Sequence, residues 1–457
     1  MNSFDVFDTL IARRYVNNNI ILSHIESEFN LSGFVTARNA ADTGSRSLQE
    51  IYNALESNNV IDSSIVQEVM DREISLEIET AIPIKENIDR VNDGDLLISD
   101  MYLPAYAIRE MVRYAGLKKQ VTIYQSNGDK NSGKIWKALQ NNKPKLHLGD
   151  NLHSDVTSAK QHGINAEHYP GTQLNSIEQH IHNNGLSHLA LLTREIRIRN
   201  GKVSPFFNVA NSLNLPWLFI VSEMIYRKHN DSNIVFLGRD CQLLQRIYSS
   251  YYNTSTYLPF SRKVAFNQPA ESLKYLTLHS PSDSVLVDII STGATWEHLS
   301  KFGSNNITAI IYSNIDGNRY TVDKPILPAG FDFLTKNDEV LSTGLLLEVM
   351  NCAEHGHLSS INEIATNVFV SEFGEPELST YIINEIHAPV QKAIDIKMYY
   401  QSAIREELKN ISDETLKQLF IVLVQNICNQ SVLNQHLGDF YAKENNYLNS
   451  IKLQGSK

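Results

Sequence analysis

Residues 285–295 read VLVDIISTGAT: an apolar strand runs into an acid, Asp288, and then into a loop of Ser291, Thr292, Gly293, Ala294 and Thr295. Backbone N–H groups and hydroxyls in such a loop can converge on one phosphate, Gly293 permits close approach of the main chain, and the helix expected after it adds partial positive charge. Residues 233–244, NIVFLGRDCQLL, repeat the grammar: a strand, then Gly238, Arg239 and Asp240, then a helix. Strand, polar loop and helix in alternation predict a parallel α/β sheet whose ligands gather at the carboxyl ends of the strands.

The alternation extends to the N-terminus. FDVF (4–7), DLLIS (95–99), VTIYQ (121–125) and KLHLG (145–149) read as strands, and PAYAIREMVRYAG (104–116) and SGKIWKALQ (132–140) as helices. From about 15 to 80 helix follows helix, the last being DSSIVQEVMDREISLEIET (62–80) with Asp62 as its expected N-cap, so this stretch reads as an all-helical cap inserted after the first strand. Residues 1–170 are thus expected to form one Rossmann-like domain, 171–203 a linker and 204–335 a second Rossmann-like domain. That second domain has helices at WLFIVSEMIYRK, QLLQRIYSSYY and WEHLSKF and strands at NIVFLG, SVLVDII and ITAIIYS. Residues 336–457, with LSTGLLLEVM and DETLKQLFIVLVQNICN, read as a helical accessory region.

Composition bounds the function. A chain of 457 residues with 42% hydrophobic and 20% charged residues is long enough for two or three cores. Its formal charge of −11 argues against nucleic acid as a partner, because that role calls for a basic field. Cys241, Cys352 and Cys428 are widely spaced, without the pairing of a disulfide framework or a zinc site. The first ten residues carry acids within their apolar stretch, unlike a signal peptide. Apolar runs such as LFIVLV (419–424) fall far short of the roughly 18 to 20 residues that span a bilayer. A cytoplasmic protein is expected, either free or in peripheral contact with the inner face of the membrane.

Four short stretches carry chemistry in the first domain: SFDVFDTLIARR (3–14), LLISDMYLP (96–104), KNSGKIW (130–136) and LGDNLHSD (148–155). Singly each has a bland reading, since an acid after a strand is usually a turn residue and a lone lysine is usually solvated. Together and in this order they resemble the motifs of haloacid-dehalogenase-like (HAD) phosphatases. The resemblance implies Asp5 as nucleophile and Thr9 beside it, Ser99 binding the phosphoryl group and Lys130 neutralising it. It also implies Mg²⁺ held by Asp5, the Phe7 backbone carbonyl, Asp150 and Asp155. Phe7 stands where such phosphatases carry the acid that protonates the leaving alcohol, so Asp8 or Asp100 is expected to take that role. A dehalogenase tolerates Phe7 but leaves the Asp150 and Asp155 pair without purpose. His153, between those acids, reads as a helix-start residue or as one that supports the metal ligands from behind, and not as a ligand itself.

The second domain resembles type I phosphoribosyltransferases. That resemblance implies that Ser291, Thr292, Gly293, Ala294 and Thr295 hold the 5-phosphate of phosphoribosyl pyrophosphate (PRPP), that Asp288 holds its ribose hydroxyls, and that Gly238, Arg239 and Asp240 bind pyrophosphate. Val287 replaces the first acid of the usual pair. Arg262 and Lys263, in PFSRKVAF (259–266), either add charge over the leaving group or form a solvated loop. Glu348, Glu354, His355 and His357 lie close in sequence without zinc spacing, which suggests an acceptor-binding or core role. The whole layout is similar to the bifunctional ribofuranosyltransferases of bacterial O-antigen and capsule biosynthesis. It implies transfer of 5-phosphoribosyl from PRPP to a sugar hydroxyl of a lipid-linked glycan, then removal of the 5-phosphate to leave a β-ribofuranosyl residue. Two other readings remain: a hydrolase with a non-catalytic nucleotide- or PRPP-sensing second domain, or a base-salvage phosphoribosyltransferase fused to a phosphatase.

Overall fold

The computed structural model describes residues 1–15, 19–126, 128–201, 203–281, 284–291 and 344–430, the strand backbones at 306–312 and 332–336, and positions 295, 298 and 433. The chain is mixed α/β with parallel sheets, and it forms two compact units: residues 1–175 with 194–202, and residues 176–193 with 203–457.

The first unit is built on strands β1 (Ser3–Asp5), β4 (Leu96–Ser99), β5 (Thr122–Gln125), β6 (His147–Gly149) and β7 (Ala166–His168), in the order β5-β4-β1-β6-β7 and parallel throughout. Its central strands are buried on both faces, as parallel sheets covered by helices require. Two further strands, β2 (Ile11–Arg13) and β3 (Ala81–Pro83), pair antiparallel and form the stem of the helical insertion. The insertion holds helices Asn19–Glu28, Phe34–Ala41, Leu48–Ser57 and Val66–Thr80. Ser47 and Glu50 close a reciprocal capping box at the start of the third. Asp62 does not cap the fourth, whose N-cap is Ile65. Its carboxylate instead accepts the Ser64 N–H at 2.8 Å, a local turn that competes with the helix for the same side chain.

The second unit carries β8 (Asn233–Leu237), β9 (Thr256–Leu258), β10 (Ser284–Ser291), β11 (Asn306–Tyr312) and β12 (Asp332–Lys336), again parallel, in the order β12-β11-β10-β8-β9. Three expectations change. Residues 171–203, expected to be a linker, form helices Ser176–Asn183 and Ser187–Asn200. Residues after 336 are not helical throughout, because Leu358–Ala365 and Val368–Phe373 form an antiparallel hairpin turned at Asn367, a left-handed residue with φ of 62°. Nor is that region an appendage: Phe420 of helix Asp413–Cys428 packs on Trp217 of the buried helix Leu215–His229, their ring centroids 5.9 Å apart. Among the described residues no helix is long and apolar enough to cross a membrane.

Candidate functional site

β1 ends in Asp5, and the loops that follow β5 and β6 bring the other charged groups to it. Lys130 reaches back from the loop after β5 to donate to Asp5 Oδ1 at 2.5 Å and to Asp155 Oδ1 at 2.8 Å, with all three side chains buried. The chain after β6 runs into a wide π-helical turn, Leu152–Thr157, begun by Asn151, whose side chain accepts the N–H groups of His153 and Ser154. His153 is therefore a helix-start residue. The wide turn carries Asp155 back to the strand end, where its Oδ2 accepts the Asn151 N–H at 3.1 Å. Gly149 makes room for it, because a Cβ there would lie 2.4 Å from the Asp155 carboxyl carbon. Below, His147 Nε2 lies 3.3 Å from Asp155 Oδ1 and its Nδ1 lies 2.9 Å from the Ser3 hydroxyl.

These contacts set the charges. Burial pushes the Asp5 carboxyl well above the usual range, with Lys130 opposing and Asp155 and Asp150 adding to the push. Burial, then the neighbouring charges of Asp8 and Asp155, raises Asp150 to about 6. At Asp155 burial also works upward, but the His147 hydrogen bond and the Lys130 charge prevail and bring it to about 2. Burial disfavours charge on Lys130 too, yet Asp5 and Asp155 hold it protonated. His147, desolvated, is driven toward the neutral form. Ligand atoms of Asp5, Asp150 and Asp155 lie within 4.8 Å of one another, close enough to share one cation. Three carboxylates against a single ammonium leave an excess of two negative charges when all are ionised, and hard oxygen donors with that excess fit a divalent ion such as Mg²⁺.

The remaining expected residues divide. Ser99, buried at the end of β4, accepts the Met101 N–H at 3.3 Å. The Thr9 hydroxyl is fully buried without a hydrogen-bond partner. Asp8 adopts the left-handed conformation, with φ of 56°, its side chain is about half exposed, and Arg194 approaches its Oδ1 at 3.5 Å. Asp100 is occupied otherwise: its carboxylate accepts the Ser126 hydroxyl and the N–H groups of Lys130 and Asn131, so it shapes the lysine loop and is unsuited to donate a proton to a leaving group. The Phe7 ring lies under the Arg13 guanidinium, 4.9 Å away.

In the second unit, Gly238 takes a φ of 77° at the end of β8 and turns the chain into Arg239 and Asp240. Arg239 is buried, with its fork engaged by residues from beyond position 336. Glu377 lies 2.8 Å away, Glu348 3.3 Å, and His357 Nδ1 2.9 Å, while His357 Nε2 is 3.0 Å from Glu377. A pyrophosphate placed on Arg239 would meet these two carboxylates. Asp240 and Asp288 flank the buried Cys241 thiol, where desolvation and then their charges push its pKa well up. His355 bonds the Tyr257 hydroxyl at 2.8 Å, and Glu354 is exposed beside His387. Arg262 and Lys263 open the short helix Arg262–Asn267 capped by Ser261. Ser291 ends β10 and Thr295 is half-buried, whereas Thr292, Gly293 and Ala294 lie outside the described residues.

Sequence reading missed Glu377, which stands in the polar stretch FGEPEL (373–378) with nothing to set it apart from a solvated acid. It also missed His147, whose place inside an apolar strand was a signal of burial. No protein-family model matches the chain, and no curated protein matches its sequence. Fold and site together define an α/β protein with a buried carboxylate and lysine centre able to take a metal ion.

Proposed function

We propose that the first unit is a Mg²⁺-dependent phosphomonoester hydrolase acting through Asp5. The chain as a whole would transfer 5-phosphoribosyl from PRPP to a sugar hydroxyl of a glycan and then remove the 5-phosphate, leaving a β-ribofuranosyl residue. One observation carries the reading: Asp5, Lys130, Asp150 and Asp155 converge at the carboxyl end of a parallel sheet, where open α/β folds bind ligands. Asp5 Oδ would attack phosphorus and form an acyl phosphate while the bond from phosphorus to the sugar oxygen breaks. Water then returns the carboxylate and releases inorganic phosphate. Lys130 holds the attacking carboxylate in place and neutralises the phosphoryl oxygens beside it; Ser99 and the unpartnered Thr9 hydroxyl supply hydrogen bonds. Asp5, Asp150 and Asp155 would hold the Mg²⁺, which when bound neutralises charge developing on the phosphoryl group. Asp8, half-exposed and beside Asp150, is the proton donor for the departing alcohol.

The transferase half rests on the resemblance of 285–295 to a phosphoribosyltransferase and on the chemistry that joins the two halves; Arg239, enclosed by Glu348, Glu377 and His357, lends it no support. Transfer from PRPP leaves a 5-phosphate, and a fused phosphatase disposes of it. Displacement from the face opposite pyrophosphate on the α-anomer gives the β-linked product. Incubating full-length protein with PRPP, Mg²⁺ and candidate glycan acceptors, followed by mass spectrometry, tests the reading. Wild type should yield a pentosyl product, and Asp5→Asn the same product still carrying phosphate. Consumption of PRPP without acceptor, or no consumption under any condition, contradicts the transferase half and leaves the hydrolase to be judged on its own substrate.

A further inference from the structure

A cavity of about 290 Å³ opens in the first unit, lined by Arg109, Arg113, Lys118 and Lys119 over an apolar floor that includes Val112 and Leu117. It lies at the opposite end of the sheet from Asp5. Val121, on its wall, immediately precedes β5, and the neighbouring Gln120 accepts the N–H of Gly94, just before β4. The cavity therefore belongs to the amino ends of strands whose carboxyl ends carry the catalytic loops.

Its charge is only partly cancelled locally. Glu110 pairs with Arg113 at 3.1 Å, and Asp93 stands 3.9 Å from Lys119 while its other oxygen accepts the Gln120 N–H. Among the described residues no carboxylate lies within ion-pair reach of Arg109 or Lys118. Arg109 is steadied by the Val121 carbonyl at 3.5 Å. The macrodipole of helix Ala105–Tyr114 favours a cation in its last turn and so accounts for Arg113. It does not account for Lys118 and Lys119, which follow the helix, or for Arg109, a turn earlier. Four cations around one concavity are unusual in a chain of net charge −11, where self-repulsion among cations brings no benefit without an anion.

We propose that this cavity is a binding site for a phosphate-bearing anion, separate from the Asp5 centre. Arginine offers a planar fork and lysine a compact charge, a combination that suits the several oxygens of a phosphate group. The volume suits a diphosphate or the head group of a phospholipid better than a whole nucleotide. The site does not depend on the hydrolase reading.

The probes are sodium pyrophosphate, titrated into full-length protein by calorimetry in EDTA, and vesicles of phosphatidylcholine with or without phosphatidylglycerol, followed by co-sedimentation. Arg109→Ala with Lys118→Ala should weaken pyrophosphate binding by about tenfold or more, while hydrolysis of p-nitrophenyl phosphate with Mg²⁺ is retained. Lys118→Gln, at an exposed side chain, should shift binding in the same direction without disturbing helix packing. Sedimentation of wild type with phosphatidylglycerol vesicles that is lost in the variants and competed away by pyrophosphate would identify a lipid head group as the source; loss of pyrophosphate binding alone would identify a soluble phosphate. Equal binding by wild type and both variants in the two arms, or no binding by wild type in either, overturns the proposal.

Discussion

The charged centres of the two units occupy equivalent places, the carboxyl ends of parallel sheets, and are balanced in different ways. Around Asp5, one ammonium faces three carboxylates, two of them pushed above their usual pKa, and the ligand atoms leave room for a shared cation. Around Arg239, the guanidinium is enclosed by Glu348, Glu377 and His357, so its hydrogen-bonding fork is already taken. Raised carboxylate pKa values are free energy held in the folded protein that a cation can recover. A closed ion cluster holds no such reserve. The first centre has carboxylates close enough to share a cation, and in the second the ion pairs join β8 to the segments after position 336.

The sharpest way to break the comparison is to remove the cation from the first centre and a carboxylate from the second. Lys130→Met leaves Asp5 and Asp155 buried and facing one another, which should cost about 3 to 5 kcal/mol in urea unfolding and abolish phosphate release. Retained activity would show that the lysine is a bystander. Asp8→Asn keeps the left-handed backbone, which asparagine tolerates, and should slow hydrolysis of an alkyl phosphate by about 10² or more while barely changing that of p-nitrophenyl phosphate, whose leaving group needs no proton. Equal slowing of both substrates would assign Asp8 to binding. In the second unit, Glu377→Gln weakens the grip on buried Arg239 and should lower stability by about 1 to 3 kcal/mol without altering phosphate release from p-nitrophenyl phosphate. A parallel loss of hydrolysis would mean that the two centres are coupled.

The smallest effect is a pH dependence. Asp150 titrates near 6 in the folded protein, above its value in an unfolded chain, so without metal its burial is tolerated best while it is protonated. Its contribution to stability is present at low pH and is lost as pH rises through about 6, above which the ionised carboxylate would be available to a cation. The rise in melting temperature caused by Mg²⁺ should accordingly grow between pH 5 and about 7.5. A rise that is constant across this window would remove Asp150 from the ligand set.

How far the sequence could be read follows from the range of the interactions. Asp5, Lys130, Asp150 and Asp155, which the structure brings together, were singled out through the resemblance of short motifs near strand ends, where local patterning marks the position. Glu377 was not, since its importance comes from Arg239, far away in the chain, and its own neighbourhood reads as loop. The same holds for the β2 and β3 stem, whose two short strands pair across the whole helical insertion. The hairpin at 358–373 is different: neither LSSINEIA nor VFVSEF keeps a strict two-residue alternation, so the strands were lost to the helical signals on either side. At Asp62 both outcomes were written locally, and the short Asp-Ser turn prevailed over the cap.

The central claim is that Asp5 is the nucleophile of a Mg²⁺-dependent hydrolase. Its most direct test is single-turnover phosphate release from a phosphorylated pentose, followed with purified wild type and Asp5→Asn at saturating Mg²⁺ and again after EDTA. Wild type should form an acyl phosphate, detectable by mass spectrometry on the peptide containing residue 5 after acid quench, and release phosphate only with Mg²⁺. Asp5→Asn should show neither the modified peptide nor release. Phosphate release at the wild-type rate by Asp5→Asn, or by wild type stripped of metal, contradicts the account.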